Sequence, residues 1–231
     1  MRKLIALLLA LVVLILPAAS WAQETSTQTA PSPQPKTRWQ KLLDKYRYND
    51  KVREIMFVKY TEGSNAKFYM YKKGVDHKWR RQIKCKAYVG RNGICSKKKK
   101  GRDDYKTPTG NYKMLWGFGI KKNPGTTMTY YKVKPYHYLC ADPKYYNQLI
   151  NINEKPHNCS GEHLIDFGKA YYYGANFNYN KKGNYKRDYA IFLHCFSGNP
   201  YTGGCISISR KNMIKALQLM EPGARICIYK K

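Results

Sequence analysis

The chain has 231 residues, 43 of them lysine or arginine against 14 aspartates and glutamates, for a formal net charge of +29, and 43% of its residues are hydrophobic. That apolar share excludes a disordered polyelectrolyte and is enough for one folded domain with a sizeable core. The basic excess is spread along the whole length with no RNP motif, zinc-finger spacing or helix-turn-helix pattern, so no nucleic-acid partner is expected.

At the N-terminus Arg2 and Lys3 precede an apolar run from Leu4 to Leu16, then Pro17 and small residues ending Ser20-Trp21-Ala22. Basic, apolar and small-residue regions in that order make a secretory signal peptide over residues 1–22 with cleavage after Ala22, so contact with the membrane is transient; an uncleaved anchor is the alternative. The remainder is expected to be exported and to lie outside the cytoplasm. There the polyanions available to a basic surface are anionic cell-wall polymers, lipid headgroups and carboxylate-bearing peptides. Residues 23–37 are rich in Thr, Ser, Gln and Pro, cannot bury enough surface to order themselves, and read as a flexible linker.

Residues 38–83 are expected to supply a short helix and strands that pack on, or belong to, the domain at 84–231. Trp39 to Tyr48 places Trp39, Leu42, Leu43 and Tyr46 on one side of a helix. Glu54–Tyr60 and Lys67–Lys72 flank Thr61-Glu62-Gly63-Ser64-Asn65, a hairpin by turn chemistry. Further strands are predicted at Arg81–Val89, Asn111–Trp116, Tyr130–Val133, Leu164–Tyr173 and Arg225–Tyr229. Asp142-Pro143 should open a helix reaching about Ile150, and Ser209 should cap a second one in which Met213, Ala216, Leu217 and Met220 share a face before Glu221-Pro222-Gly223. The domain is therefore predicted to be mainly β with a few short helices. The densest basic run, Lys97 to Lys100 with Arg102, reads as a solvated loop, and Asp103 and Asp104 as turn residues.

There are seven cysteines, Cys85, Cys95, Cys140, Cys159, Cys195, Cys205 and Cys227, and an odd count in an exported chain implies at least one thiol unpaired within it. The other six permit 15 pairings, or are reduced and buried. Cys159 and His163 are four apart and His77, His137 and His157 are scattered, with no paired ligands of zinc type. No metal and no other cofactor is expected.

Chemistry concentrates between Ile191 and Ile208. Tyr189–Leu193 reads as a buried strand delivering His194 at its end, and Cys205–Ile208 starts a second strand with Ile206 and Ile208 on one face. The loop between them can bring imidazole and thiol together. A neighbouring histidine can lower a thiol pKa from about 8.5 to roughly 3.5–7.5, which would make Cys205 a nucleophile and His194 its base. Gly203 and Gly204 can turn their amides, with that of Cys205, toward a developing oxyanion. The bland alternative is a buried or disulfide-bonded cysteine and a satisfied core histidine. Cys195 matters twice, because its carbonyl can orient His194 and because a disulfide with Cys205 would silence the site.

A histidine followed downstream by Thr202-Gly203-Gly204-Cys205-Ile206 resembles the signature of the L,D-transpeptidase catalytic (YkuD) domain. The resemblance extends to Val89-Gly90-Arg91-Asn92-Gly93, Asp104-Tyr105-Lys106-Thr107-Pro108-Thr109-Gly110-Asn111-Tyr112, Phe118-Gly119-Ile120, Asn123-Pro124-Gly125, Tyr146-Asn147, Glu162-His163-Leu164 and Tyr179-Asn180, about Lys84 to Ile228 in all. Two positions depart from it: many family members carry a second histidine where this chain has Gly203, and Ser or Gly where it has Cys195. The resemblance implies an L,D-transpeptidase-like β-sandwich and a secreted enzyme acting on peptidoglycan stem peptides. Cys205 would form a thioester with His194 as base, and Tyr179 and Asn180 would line the substrate cleft. An L,D-carboxypeptidase of the same fold and a non-catalytic basic wall-binding module are the other functions considered.

Overall fold

The computed structural model describes residues 35–230. The signal peptide expected at 1–22 and nearly all of the linker expected at 23–37 lie outside the described residues. From residue 36 onward the chain forms one compact unit.

Thr37 opens the first helix, α1 (Arg38–Lys45), through a capping box in which its side chain accepts from the Gln40 amide and the Gln40 side chain accepts from the Thr37 amide. The hairpin follows as β1 (Glu54–Tyr60) and β2 (Asn65–Lys73), antiparallel with Tyr60 opposite Ala66, and then β3 (Trp79–Tyr88). After β4 (Ile94–Ser96) comes the longest strand, β5 (Thr107–Gly119), then β6 (Tyr130–Lys132) and β7 (His137–Leu139). The chain continues through β8 (Leu149–Asn151), β9 (Glu162–His163), β10 (Gly174–Phe177), β11 (Phe192–Cys195) and β12 (Ile206–Ile208). It ends in α2 (Arg210–Leu219) and β13 (Arg225–Lys230).

Strands β10, β11, β12, β3, β2, β1, β13 and β5 pair in that order, and β5 pairs again with β10, so the expected β-sandwich closes into an eight-stranded mixed barrel. Closure removes the open edges that a flat sheet would present. A small separate sheet, β8-β7-β9, stands beside it. Among the described residues no helix is long and apolar enough to cross a membrane.

Strand β1 is apolar on both faces because both are covered. Met56 and Val58 face the main core with Phe68, Met70 and Leu193, whereas Ile55 and Phe57 face α1. Trp39 of α1 stacks on Phe57 with ring centroids 4.7 Å apart, and Leu42, Leu43 and Tyr46 complete the contact, as the helical spacing predicts. At the other end Ser209 accepts from the Asn212 amide and caps α2, whose Met213, Ala216 and Leu217 are fully buried.

Four expectations are corrected. Residues Leu164–Tyr172 form two short 3-10 segments joined by a kink at Gly168 (φ +49°) rather than a strand, although the aromatic content mimics one. The helix expected from Pro143 to Ile150 stops after the 3-10 turn Pro143–Tyr145, and the chain re-enters a sheet as β8. Asp142 makes no cap there: its carboxylate accepts instead from the Ser160 amide and hydroxyl, each at 2.9 Å. Lys100 is not in a solvated loop but 2% exposed, its ammonium between Asp104 and Asp188. Finally, Ala190 at φ +52° interrupts the strand expected to begin at Tyr189, so β11 starts at Phe192 and His194 lies within it.

Candidate active site

Strands β11 and β12 run parallel with Leu193 opposite Ile206 and His194 opposite Ser207, which sets Cys205 at the mouth of β12 beside the strand carrying the histidine. His194 and Cys205 line one cavity of about 360 Å³, together with Gly203, Glu162, Tyr171 and Asp188. The volume falls within the range of ligand-binding clefts. Both side chains are almost covered, His194 at 8% and Cys205 at 7% exposure.

His194 Nδ1 lies 2.9 Å from the Cys195 carbonyl. A carbonyl only accepts, so Nδ1 carries the proton and Nε2 is left with its lone pair. Burial depresses the imidazole pKa to about 4, the bond to Cys195 opposing it. The side chain of Cys195 points the other way, its thiol donating to the Tyr173 carbonyl at 3.4 Å within the main core. Cys205 belongs to a different cluster, with Phe192, Ala190 and Tyr171. All seven cysteines are free thiols.

Cys205 is held by the backbone around it. Its thiol donates to the Ala190 carbonyl at 3.0 Å and its sulfur accepts from the Phe192 amide at 3.2 Å. The expected lowering of its pKa by a neighbouring imidazole is not what the structure shows. Burial pushes the thiol well above its ordinary range, and the charges of Glu162 and Asp188 add to this while the Phe192 amide and Lys100 oppose it. The resting pair is therefore a neutral thiol and a neutral imidazole.

Several of the segments singled out by the resemblance support this pair. Thr107 is fully buried; its hydroxyl donates toward the Gly204 and Cys205 carbonyls, at 2.7 and 3.1 Å, and accepts from the Gly90 amide. Thr202 donates to the Cys205 carbonyl at 2.7 Å, and its backbone pairs with Val89 and Arg91. Asn147, at φ +61°, gives its Nδ2 protons to the Tyr179 and Asn180 carbonyls and accepts from the Ala190 amide. It thereby fixes the residue whose carbonyl holds the Cys205 thiol. Asn180 binds the Asn184 and Asp188 carbonyls, and Tyr179 packs edge-on against Tyr112. Neither Tyr179 nor Asn180 is among the residues lining the cavity with Cys205. They shape the loop that leads to Asp188 and Ala190.

The two glycines differ. A Cβ at Gly203 meets nothing within 4 Å, so a side chain there has room. Gly204 sits at φ +145°, a Cβ would lie 2.8 Å from Ile191 Cδ1, and its amide already donates to Thr202 Oγ1 at 3.1 Å. That leaves the amides of Gly203 and Cys205 as the candidate oxyanion donors. Gly203→Ala should leave stability within about 0.5 kcal/mol of the parent, whereas Gly204→Ala should cost about 1–3 kcal/mol through backbone strain. Thermal melts of the two variants measure the difference.

Glu162 is the residue that motif spacing undervalued. His163 is engaged by Asp166 and the Pro135 carbonyl, but Glu162 faces the cavity and accepts from the Tyr171 hydroxyl at 2.6 Å. Burial raises its carboxyl to about 7; the Tyr171 bond lowers it and the charge of Asp188 raises it. As pH rises through about 7 Glu162 becomes anionic and opposes formation of the Cys205 thiolate. Glu162→Gln should therefore speed alkylation of Cys205 by iodoacetamide at pH 8 by about threefold to tenfold. An unchanged rate would show that the thiol does not feel that charge.

Similar folds among solved structures include an L,D-transpeptidase (Yku) from Stackebrandtia nassauensis, 13% identical, with 77% of this chain and 55% of that one aligned and a TM-score of 0.34. Mycobacterium tuberculosis L,D-transpeptidase 1 is 13% identical over 78% of this chain and 62% of that one, and an L,D-transpeptidase from Mycobacterium smegmatis 12% over 77% and 58%, each with a TM-score of 0.35. The chain thus spans less than two thirds of the length of each. No curated protein matches it. Residues 52–228 match the L,D-transpeptidase catalytic domain (YkuD), and the chain belongs to that family.

Proposed function

We propose that the chain is an exported, cysteine-dependent L,D-transpeptidase acting on peptidoglycan stem peptides. The observation that carries this reading is the shared cavity of His194 and Cys205, with Nδ1 of the histidine tied to a carbonyl and Nε2 free to take a proton. The Cys205 sulfur attacks the carbonyl of the residue preceding a terminal D-alanine as the thiol proton passes to Nε2. The amides of Gly203 and Cys205 receive the oxyanion. Nε2 then returns the proton to the departing D-alanine amine, leaving a thioester on Cys205. A side-chain amine of a neighbouring stem displaces the sulfur and forms the cross-link.

Because the resting thiol is neutral, proton transfer to His194 accompanies attack rather than preceding it. The thiol must also leave the Ala190 carbonyl and turn toward the imidazole. The export reading rests on the N-terminal sequence, and the strongly basic surface suits docking to anionic wall polymers. Incubation with a stem tetrapeptide and an amine acceptor tests the assignment. D-alanine release with a cross-linked product supports it; D-alanine release with only the tripeptide would reassign the chain as an L,D-carboxypeptidase, and no release would leave a binding module.

A further inference from the structure

We infer that Cys140, Asp142, His157 and Cys159 form a four-ligand metal site of zinc type beside the active-site cleft. Their spacing matches no paired-ligand motif, because the ligands come from two segments that only the pairing of β7 with β9 brings together. Leu139 of β7 lies opposite Glu162 of β9, which puts Cys140, just after the first strand, near Cys159, just before the second. One ligand atom from each of Cys140, Asp142 and Cys159 lies within 4.8 Å of the others. Cys140 Sγ is 3.3 Å and His157 Nε2 is 3.1 Å from the same atom, Asp142 Oδ2. In a tetrahedral zinc centre, bonds of about 2.0–2.3 Å put ligand atoms about 3.3–3.8 Å apart, so Cys140, Asp142 and Cys159 need only modest shifts, while His157, which meets the cluster through Asp142, must swing in to become the fourth ligand.

The donor set is two sulfurs, one imidazole nitrogen and one carboxylate oxygen, which suits zinc and disfavours magnesium or calcium. The surroundings support the ligands. The Ser160 hydroxyl donates to Asp142 Oδ1, its amide donates to Oδ2, and the Tyr145 ring packs edge-on against His157 at 5.2 Å. Cys140 is fully buried while the other three are partly accessible, so the site has an entry side. On binding, the two thiols release their protons to solvent and His157 coordinates as neutral imidazole through Nε2. A disulfide between Cys140 and Cys159 would employ the two sulfurs but give Asp142 and His157 no reason to converge with them. Since Cys159 is three residues from Glu162, the metal would pin the cleft wall that carries that carboxylate.

The test is cobalt(II) titration of the reduced full chain carrying Cys205→Ala, which removes the cavity thiol as a competing ligand. One equivalent should bind with a thiolate-to-cobalt charge-transfer band and the intense visible bands of tetrahedral cobalt, and zinc should displace it. His157→Ala, which keeps both thiols, should weaken cobalt binding at least tenfold, and Cys159→Ser should remove most of the charge-transfer intensity. No stoichiometric uptake by the parent overturns the proposal. So does a Cys140–Cys159 disulfide found by peptide mapping of the protein as secreted, or His157→Ala binding cobalt as tightly as the parent.

Discussion

His194→Gln is expected to lower the rate of Cys205 acylation by roughly 10²–10⁴-fold, the usual contribution of a positioned general base. The loss should be large here because burial holds the thiol above its ordinary pKa, and its one hydrogen-bond acceptor among the described residues is the Ala190 carbonyl, which cannot take the proton. The same geometry fixes the sign of the pH dependence. A base must be neutral, and burial lowers the pKa of His194 from 6.5 to about 4, so on the acid side the parent should keep its activity until pH falls through about 4. Glu162 adds a second limb of opposite direction, a decline as pH rises through about 7, which Glu162→Gln should remove. Acylation rates measured between pH 3 and 9 check both limbs. An acid limb near 6.5 would mean that the imidazole is solvated and not held as described.

Lys100→Met is expected to destabilise the domain by about 3–5 kcal/mol, the cost of leaving a buried carboxylate without its cation. Lys100 is the only cation bonded to Asp188 among the described residues, and it also binds Asp104, whose carboxylate accepts from the Gly101 and Lys106 amides. Burial pushes the Asp188 pKa up and Lys100 holds it down, so removing the ammonium leaves the desolvation and the charge of Asp103 opposed by the bond from the Asp103 backbone. Asp188 lines the cavity, and its carbonyl accepts from Asn180, so the damage reaches the site. Thermal and urea unfolding measure the loss. Asp188→Asn in the Lys100→Met background should recover part of it, since an amide carries no charge to pair; a fully additive double variant would show that the two side chains act independently.

Much of this was legible in the sequence where the signal is local. The β1–β2 hairpin and α2 follow from turn residues, a serine cap and apolar spacing, all within a few positions of the elements they define. That His194 and Cys205 would meet at one cavity was legible because a strand, a turn-rich loop and a Gly-Gly-Cys are contiguous. What remained hidden depends on partners far along the chain. Nothing in four consecutive lysines marks Lys100 as the one that turns inward, since the choice is made by Asp188, 88 residues away. Asp142 has the sequence of a helix cap, but Ser160 and His157 claim its carboxylate. The aromatic run at 164–173 has strand composition, and nothing local but Gly168, where the backbone kinks between two short 3-10 segments, argues against a strand. The thiol pKa went the other way for a related reason: a nearby histidine was visible, but the degree of burial of both groups was not.

The most direct test of the central claim is the intact mass of the protein after incubation with a carbapenem or a stem tetrapeptide. A single covalent adduct that maps to Cys205, is absent in Cys205→Ala and forms slowly in His194→Gln is the expected result. An adduct on another cysteine, or one that survives in Cys205→Ala, would contradict it.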